Sequence, residues 1–280
     1  MTATTADLAM SEHDVDVAGD LTIHYAEGGS GHPVICLHGT GPGSSGLASY
    51  VRNVPALTPH YRTLVPDLPR FGKSSKVFVT EPRLDFTSRA VRSFMDALGI
   101  EKAHLIGNSM GAQTAMKVAI DAPERVERLV LMAPAVAGHS LQTPMPTEAV
   151  QLISEYYGGD GPSRQKMRDV LERLVYDRAF VTDEVVEERY QASVDPETIR
   201  VNAKGHWGRQ SLEGELTKVV APTLLVWGHD DRATPFDHAL LLLKKLPDAR
   251  LHVFARCGHW ANVERADEFN AVALDFLGRP

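Results

Sequence analysis

A serine framed by glycines, Gly107-Asn108-Ser109-Met110-Gly111, stands at the end of the apolar run Ala103-His104-Leu105-Ile106 and just ahead of helix-forming text. That order reads as strand, sharp turn and helix. A serine on such a turn lifts its hydroxyl above the sheet, and the helix N-terminus offers backbone N–H groups to a developing oxyanion. The chemistry this suits is attack on a carbonyl. Gly and Ser are common residues and an isolated match usually marks an ordinary turn, so the partners decide. A serine nucleophile needs a base to take its proton and an acid to orient that base, and neither has to be close in sequence. Trp227-Gly228-His229-Asp230-Asp231-Arg232-Ala233-Thr234-Pro235 directly follows one predicted strand, and Cys257-Gly258-His259-Trp260 follows the last. An Asp-Asp loop is by itself more often a solvated turn, and any one of the 12 histidines is more often structural. Their joint position after strands outweighs that reading. His259 is the expected base because it lies beyond the final strand, while Asp230 and Asp231 compete for the orienting role.

The elements that must carry these groups alternate. Leu21–Ala26 and Pro33–Leu37 read as strands joined by Gly28-Gly29-Ser30-Gly31, which suits a hairpin-like turn. Tyr61–Pro66 is a further strand, Leu84–Leu98 an amphipathic helix closed by Gly99, Met110–Asp121 a helix, and Arg128–Met132 a strand. The alternation predicts an α/β fold with a mostly parallel sheet covered on both faces. It breaks after Ala133-Pro134. Up to about Glu215 the text is helical and charged, with an apolar stripe at Met167, Val170, Leu171, Leu174 and Val175, and punctuated by Gly158-Gly159-Asp160-Gly161-Pro162. Strand Thr223–Trp227, helix Phe236–Leu246, strand Arg250–Phe254 and helix Asn262–Leu277 then complete the chain. The expected organisation is a core of residues 1–133 and 216–280 with a helical lid over 134–215, placed above the strand C-termini where open α/β sheets bind ligands.

The 280 residues carry a formal net charge of −7 and no long Lys/Arg run, so neither nucleic acid nor an anionic membrane is an expected partner. No apolar run is long enough to cross a bilayer, and Met1 to Asp14 lacks the apolar core of a signal peptide, which predicts a cytoplasmic protein. Cys36 and Cys257 are the only cysteines and read as small packed side chains. His38-Gly39-Thr40-Gly41-Pro42-Gly43 ends an apolar strand, and its glycines let a backbone N–H approach a substrate; a phosphate loop would need a Gly-Lys-Ser/Thr that does not follow. The expected oxyanion donors are the N–H groups of Gly41 and Met110, with His38 structural.

At this point the text resembles the meta-cleavage product hydrolases, carbon–carbon bond hydrolases of the α/β-hydrolase superfamily, from about Asp20 to Leu277. The resemblance rests on His38 to Gly43, Gly107 to Gly111, Leu251-His252-Val253-Phe254-Ala255-Arg256-Cys257-Gly258-His259-Trp260 and Ala266-Asp267-Glu268-Phe269-Asn270. It implies the α/β-hydrolase fold and a triad in the order Ser109, Asp231, His259, with Asp231 favoured over Asp230 by the family's Gly-x-x-Asp-x-x-x-Pro spacing. It further implies hydrolysis of 2-hydroxy-6-oxohexa-2,4-dienoates to 2-hydroxypenta-2,4-dienoate and a carboxylic acid, with no cofactor or metal, in a homo-oligomer. The substrate's carboxylate needs a cation, and the family's lid arginine corresponds to Arg189, whose paired N–H groups suit both oxygens. Beside Glu187 and Glu188, an arginine more often makes surface ion pairs of little worth. Trp260 and Thr40 would line the pocket, and Asn108 would bond the dienoate oxygens.

Two departures stand out. Where many members have Trp and Asn after the Gly-Pro-Gly loop, this chain reads Leu47-Ala48-Ser49, leaving Ser49 as a shorter donor to substrate. Ala112-Gln113 follows Gly111 where a second glycine is frequent. The same triad also suits a carboxylesterase, a lactonase or a cofactor-free haloperoxidase, from which Arg189 with Trp260 distinguishes the dienoate hydrolase. A silent small-molecule receptor has no need of an oriented base. Dehalogenases and epoxide hydrolases of this fold use aspartate at the position of Ser109.

Overall fold

In the computed structural model, residues 8–136, 139–203 and 210–278 are described. The sheet runs β1 (Ser11–Val17), β2 (Leu21–Gly28), β4 (Arg62–Pro66), β3 (Pro33–Leu37), β5 (Ala103–Asn108), β6 (Val126–Met132), β7 (Thr223–Gly228) and β8 (Ala249–Phe254). From β4 to β8 all neighbours are parallel, and β2 alone runs against both of its partners. β5 is buried along its whole length, as a strand covered on both faces must be.

Between and after the strands lie α1 (Gly46–Tyr50), α2 (Val54–Leu57), α3 (Arg83–Ala97), α4 (Met110–Asp121), α5 (Glu148–Glu155), α6 (Arg164–Leu174), α7 (Asp183–Ser193), α8 (Pro196–Ala203), α9 (Asp237–Lys245), α10 (Ala261–Glu264) and α11 (Ala266–Leu277). Two apolar clusters fill the layers on the two sides of the sheet. One gathers Leu37, Phe94, Leu105, Met116 and Trp227. The other gathers Cys36, Tyr50, Ile106, Val226 and Phe269. Helices α5 to α7 have a third cluster of their own, built on Tyr156, Met167, Val170 and Leu171. Gly99 ends α3 with φ +65° while Ile100 N–H bonds the Met95 carbonyl at 2.8 Å, the left-handed stop that its position predicts.

Two expectations are corrected, and one strand is added. β2 and β3 do not form a hairpin: β2 pairs with β1 and β4, and β3 with β4 and β5. The glycines serve the crossover instead, since a Cβ on Gly29 would stand 2.2 Å from the Tyr61 carbonyl. β1 escapes the sequence pattern because it is an edge strand with most residues exposed, and its charged text Glu12, His13, Asp14 and Asp16 protects an open edge rather than filling a core. The closing helix is two helices, broken at Arg265 (φ −122°). The break leaves Glu264 free to accept from the N–H groups of Gly258 at 2.8 Å and of Tyr176 at 2.7 Å.

Candidate active site

Ser109 joins β5 to α4 with φ 53° and ψ −114°, a region that costs a non-glycine residue energy and persists only where its surroundings impose it. Its N–H donates to the Met132 carbonyl at 2.8 Å, and its carbonyl accepts from Gln113 at 3.0 Å. The framing glycines permit the turn. A Cβ on Gly111 would stand 2.0 Å from the Leu37 carbonyl oxygen, and one on Gly107 would stand 2.5 Å from Ala112 N. Ala112 is therefore accommodated where α4 lies against β5, its methyl buried in the core. Gln113 accepts from Arg83 at 3.0 Å and donates to the Ala135 carbonyl at the root of the helical block.

Asp231 and His259 meet across the ends of β7 and β8. The His259 Nδ1 is 2.8 Å from Asp231 Oδ2, and Oδ1 accepts from the N–H groups of Ala233 at 2.7 Å and Thr234 at 2.9 Å. The Asp231 side chain is fully buried; Asp230 instead lies 3.7 Å from the ring of exposed His229. Glycines again permit the approach, because a Cβ on Gly228 would stand 2.0 Å from the Gly258 carbonyl oxygen. A carboxylate can only accept, so the bond fixes the proton on Nδ1 and leaves Nε2 of His259 as a free base. The His259 N–H donates to the Leu174 carbonyl at 2.7 Å, tying the base to the helical block. Among the described residues the Ser109 hydroxyl has no hydrogen-bond partner, a common state of catalytic bonds before substrate closes them.

A cavity of about 570 Å³ opens beside His259, walled by the Gly39 to Pro42 turn, by α1, and by Val170, Leu171 and Leu174 of the helical block. Arg189 lies in its wall, 9% exposed. One nitrogen, Nη1, donates to Ser44 Oγ at 2.8 Å, and the guanidinium sits 5.1 Å over the Trp260 ring. It has no carboxylate within salt-bridge distance among the described residues, since Glu187 pairs with Arg164. Burial pulls its pKa down to about 10, so it remains a cation at neutral pH. The charge of Glu188, in the same cavity wall, acts in the opposite direction, but among the described residues no carboxylate makes a salt bridge with the guanidinium, so a ligand carboxylate would offset part of the cost of its burial.

The other expected residues fare differently. Trp260 and Thr40 line the cavity. Asn108 lines it too, but its amide donates to the His259 carbonyl at 3.2 Å and braces the base's loop. Ser49 also lines the cavity, and its hydroxyl donates to the Ser45 carbonyl one helical turn back at 2.7 Å, a bond that competes with one to a substrate. The turn residue against Ser109 is Gly39, where a Cβ would stand 3.2 Å from Ser109 Cβ; Gly41, expected as an oxyanion donor, packs beside Ser44. Met110 is the first residue of α4 and is buried. His38 is structural as expected. Its Nε2 accepts from Leu68 N–H at 2.9 Å and its Nδ1 faces the Gly39 carbonyl at 2.8 Å, while burial lowers its pKa. Leu152, Ile153, Leu174 and Val175, whose directions the sequence does not fix, all pack in the block's own core, and of the four Leu174 also lines the cavity. Ser44 and Glu264 carry no sequence signal at all. Among the described residues no group of His, Cys, Asp and Glu side chains is arranged to hold a metal ion.

The α/β hydrolase fold family matches residues 32–266. A 2-hydroxy-6-oxo-6-phenylhexa-2,4-dienoate hydrolase of Comamonas testosteroni is 43% identical over 274 residues, covering 96% of this chain and 94% of that protein. A 2-hydroxy-6-oxononadienedioate/2-hydroxy-6-oxononatrienedioate hydrolase of the same species is 42% identical, with 91% of each chain covered. The structure of a meta-cleavage product hydrolase from Pseudomonas fluorescens IP01 superposes with a TM-score of 0.83 at 33% identity, over 96% of this chain and 98% of that one. The fold and the similarity over nearly the full length define an α/β hydrolase. Within that class, the chain belongs to the meta-cleavage product hydrolase family.

Proposed function

We propose that this protein hydrolyses the C5–C6 bond of 2-hydroxy-6-oxohexa-2,4-dienoates, with Ser109, His259 and Asp231 as the triad. The observation that carries the reading is Arg189, a buried cation that makes no salt bridge among the described residues, in the wall of the cavity that holds His259. An esterase acting on neutral esters has no use for such a charge, whereas a dienoate brings the missing carboxylate. With that end anchored, ketonisation moves the dienol proton to C5, and the C5–C6 electron pair can then leave as a conjugated enolate. His259 suits both proton transfers, because Asp231 holds its ring with Nε2 free. Water is added overall: the acyl carbon C6 takes the hydroxyl, and the enolate oxygen at C2 takes the proton to give 2-hydroxypenta-2,4-dienoate. The N–H of Met110 and one from the Gly39 to Gly41 turn would hold the oxyanion at C6. Residues 134–215 serve as a lid, a role supported by their contribution of Arg189, Leu171 and Leu174 to the cavity.

The finer expectations go with this reading: a cytoplasmic homo-oligomer acting on a diffusible acid. Exposed Leu240 and Leu243 on α9 and Val253 on β8 support a second copy at that end of the sheet. No described helix is long and apolar enough to cross a membrane. The test is spectrophotometric. Purified protein should bleach yellow 2-hydroxy-6-oxohexadienoates with alkyl or aryl 6-substituents; turnover of p-nitrophenyl esters with no bleaching would replace the reading with an esterase.

A further inference from the structure

Arg189 does not stand alone. Its Nη1 donates to Ser44 Oγ at 2.8 Å, and Ser44 is itself nearly buried, at 6% exposure, in the wall of the same cavity. A serine hydroxyl has one proton and two lone pairs. Here a lone pair takes the guanidinium proton, and among the described residues no acceptor takes the hydroxyl's own proton. A buried donor left unspent in a cavity wall, next to a cation that makes no salt bridge among the described residues, suits an anion. The local backbone fixes the pair. Ser44 N–H bonds the Gly41 carbonyl at 3.2 Å, and Gly43, at φ +66°, lets α7 come so close that a Cβ there would stand 2.0 Å from the Arg189 carbonyl oxygen.

We propose that Ser44 is a substrate-binding residue. Its hydroxyl, polarised by Arg189, donates to the carboxylate that the guanidinium binds, whereas the Ser49 hydroxyl is already engaged with the Ser45 carbonyl. The assignment rests on the dienoate reading for its physiological ligand, and its test is separable from it. Hexa-2,4-dienoate and its neutral isostere hexa-2,4-dienamide are titrated by calorimetry into the wild type, Ser44→Ala and Ser44→Thr. The preference for the acid over the amide should fall about tenfold or more in Ser44→Ala, the loss of one hydrogen bond to a charged group. Ser44→Thr, which keeps the hydroxyl, should stay within threefold of the wild type. With a ring-cleavage product as substrate, Ser44→Ala should raise KM by a similar factor and change kcat far less. An unchanged acid preference in Ser44→Ala, or equal losses for acid and amide, overturns the assignment and leaves Ser44 as a brace for the loop. Wild type that binds hexadienoate selectively but bleaches no dienoate defeats the reaction proposed above and leaves Ser44 standing.

Discussion

The sheet edge and the helical block above it build the two halves of the site by different means. At the sheet edge the groups are held by backbone: Ser109 by a strained turn bonded to Met132 and Gln113, and Asp231 by the N–H groups of Ala233 and Thr234. The helical block has a small apolar core of its own and reaches the site through side chains, chiefly Arg189 and Leu174. It meets the Asp231 and His259 loops through the Leu174 carbonyl under His259 N–H, the Thr147 hydroxyl on the Ala233 carbonyl, and the Glu264 carboxylate spanning Gly258, Tyr176 and Asp177. Burial raises the Glu264 pKa, while the N–H groups it accepts from act in the opposite direction. The contrast teaches a division of labour. The rigid half holds atoms that must not move during bond cleavage, and the block selects what is presented to them.

That division can be broken at several places. The largest effect is expected at the orienting carboxylate: Asp231→Asn should lower kcat about 10³–10⁴-fold on any substrate by favouring the wrong tautomer of His259. Asp230→Asn should cost little, because that side chain faces His229. Comparable losses in the two variants, measured by steady-state kinetics, would show that the β7 turn does not choose between them. Next comes Arg189→Ala, expected to cost about a hundredfold in kcat/KM for dienoates and much less for neutral p-nitrophenyl esters. Equal losses would mean that the block supports the chemistry as well as the selection.

The smallest effect concerns the core away from the site. His104 is buried on β5 with Nδ1 unpartnered, its ring 4.6 Å from that of His32, and burial lowers its pKa to about 4. A folded-state pKa below the unfolded value of about 6.5 means that the contribution is intact above that pH and is lost as pH falls toward 4. Unfolding free energy should be about 2 kcal/mol lower at pH 5 than at pH 7 from this group, and denaturant titration of His104→Phe should flatten the difference. An unchanged acid limb in that variant would remove His104 as the cause.

Much of the core was legible because its signals are local and periodic. Continuous apolar runs mark β3, β5 and β7, and Gly99 marks a helix end. β1 was not legible, because an edge strand faces water and shows little alternation of apolar residues. Nor were side-chain directions in the block: Leu152 and Leu174 look alike as text and both pack in its core, yet only Leu174 of the two also lines the cavity. Ser49 looked like a donor to substrate until α1 was seen to place the Ser45 carbonyl one turn behind it.

The sequence by itself determined the strand–turn–helix at Ser109, the order Ser, Asp, His along successive strand ends, and the interruption of the sheet by a helical block. These follow from backbone sterics and from apolar periodicity, which act over a few residues. Only the tertiary structure brought Asp231 against His259 and left Asp230 beside His229, buried Arg189 with no salt bridge among the described residues, and joined Ser44 to it. Those outcomes depend on which groups are brought together across 28 or 145 residues of chain, and on which hydrogen bonds remain unspent afterwards.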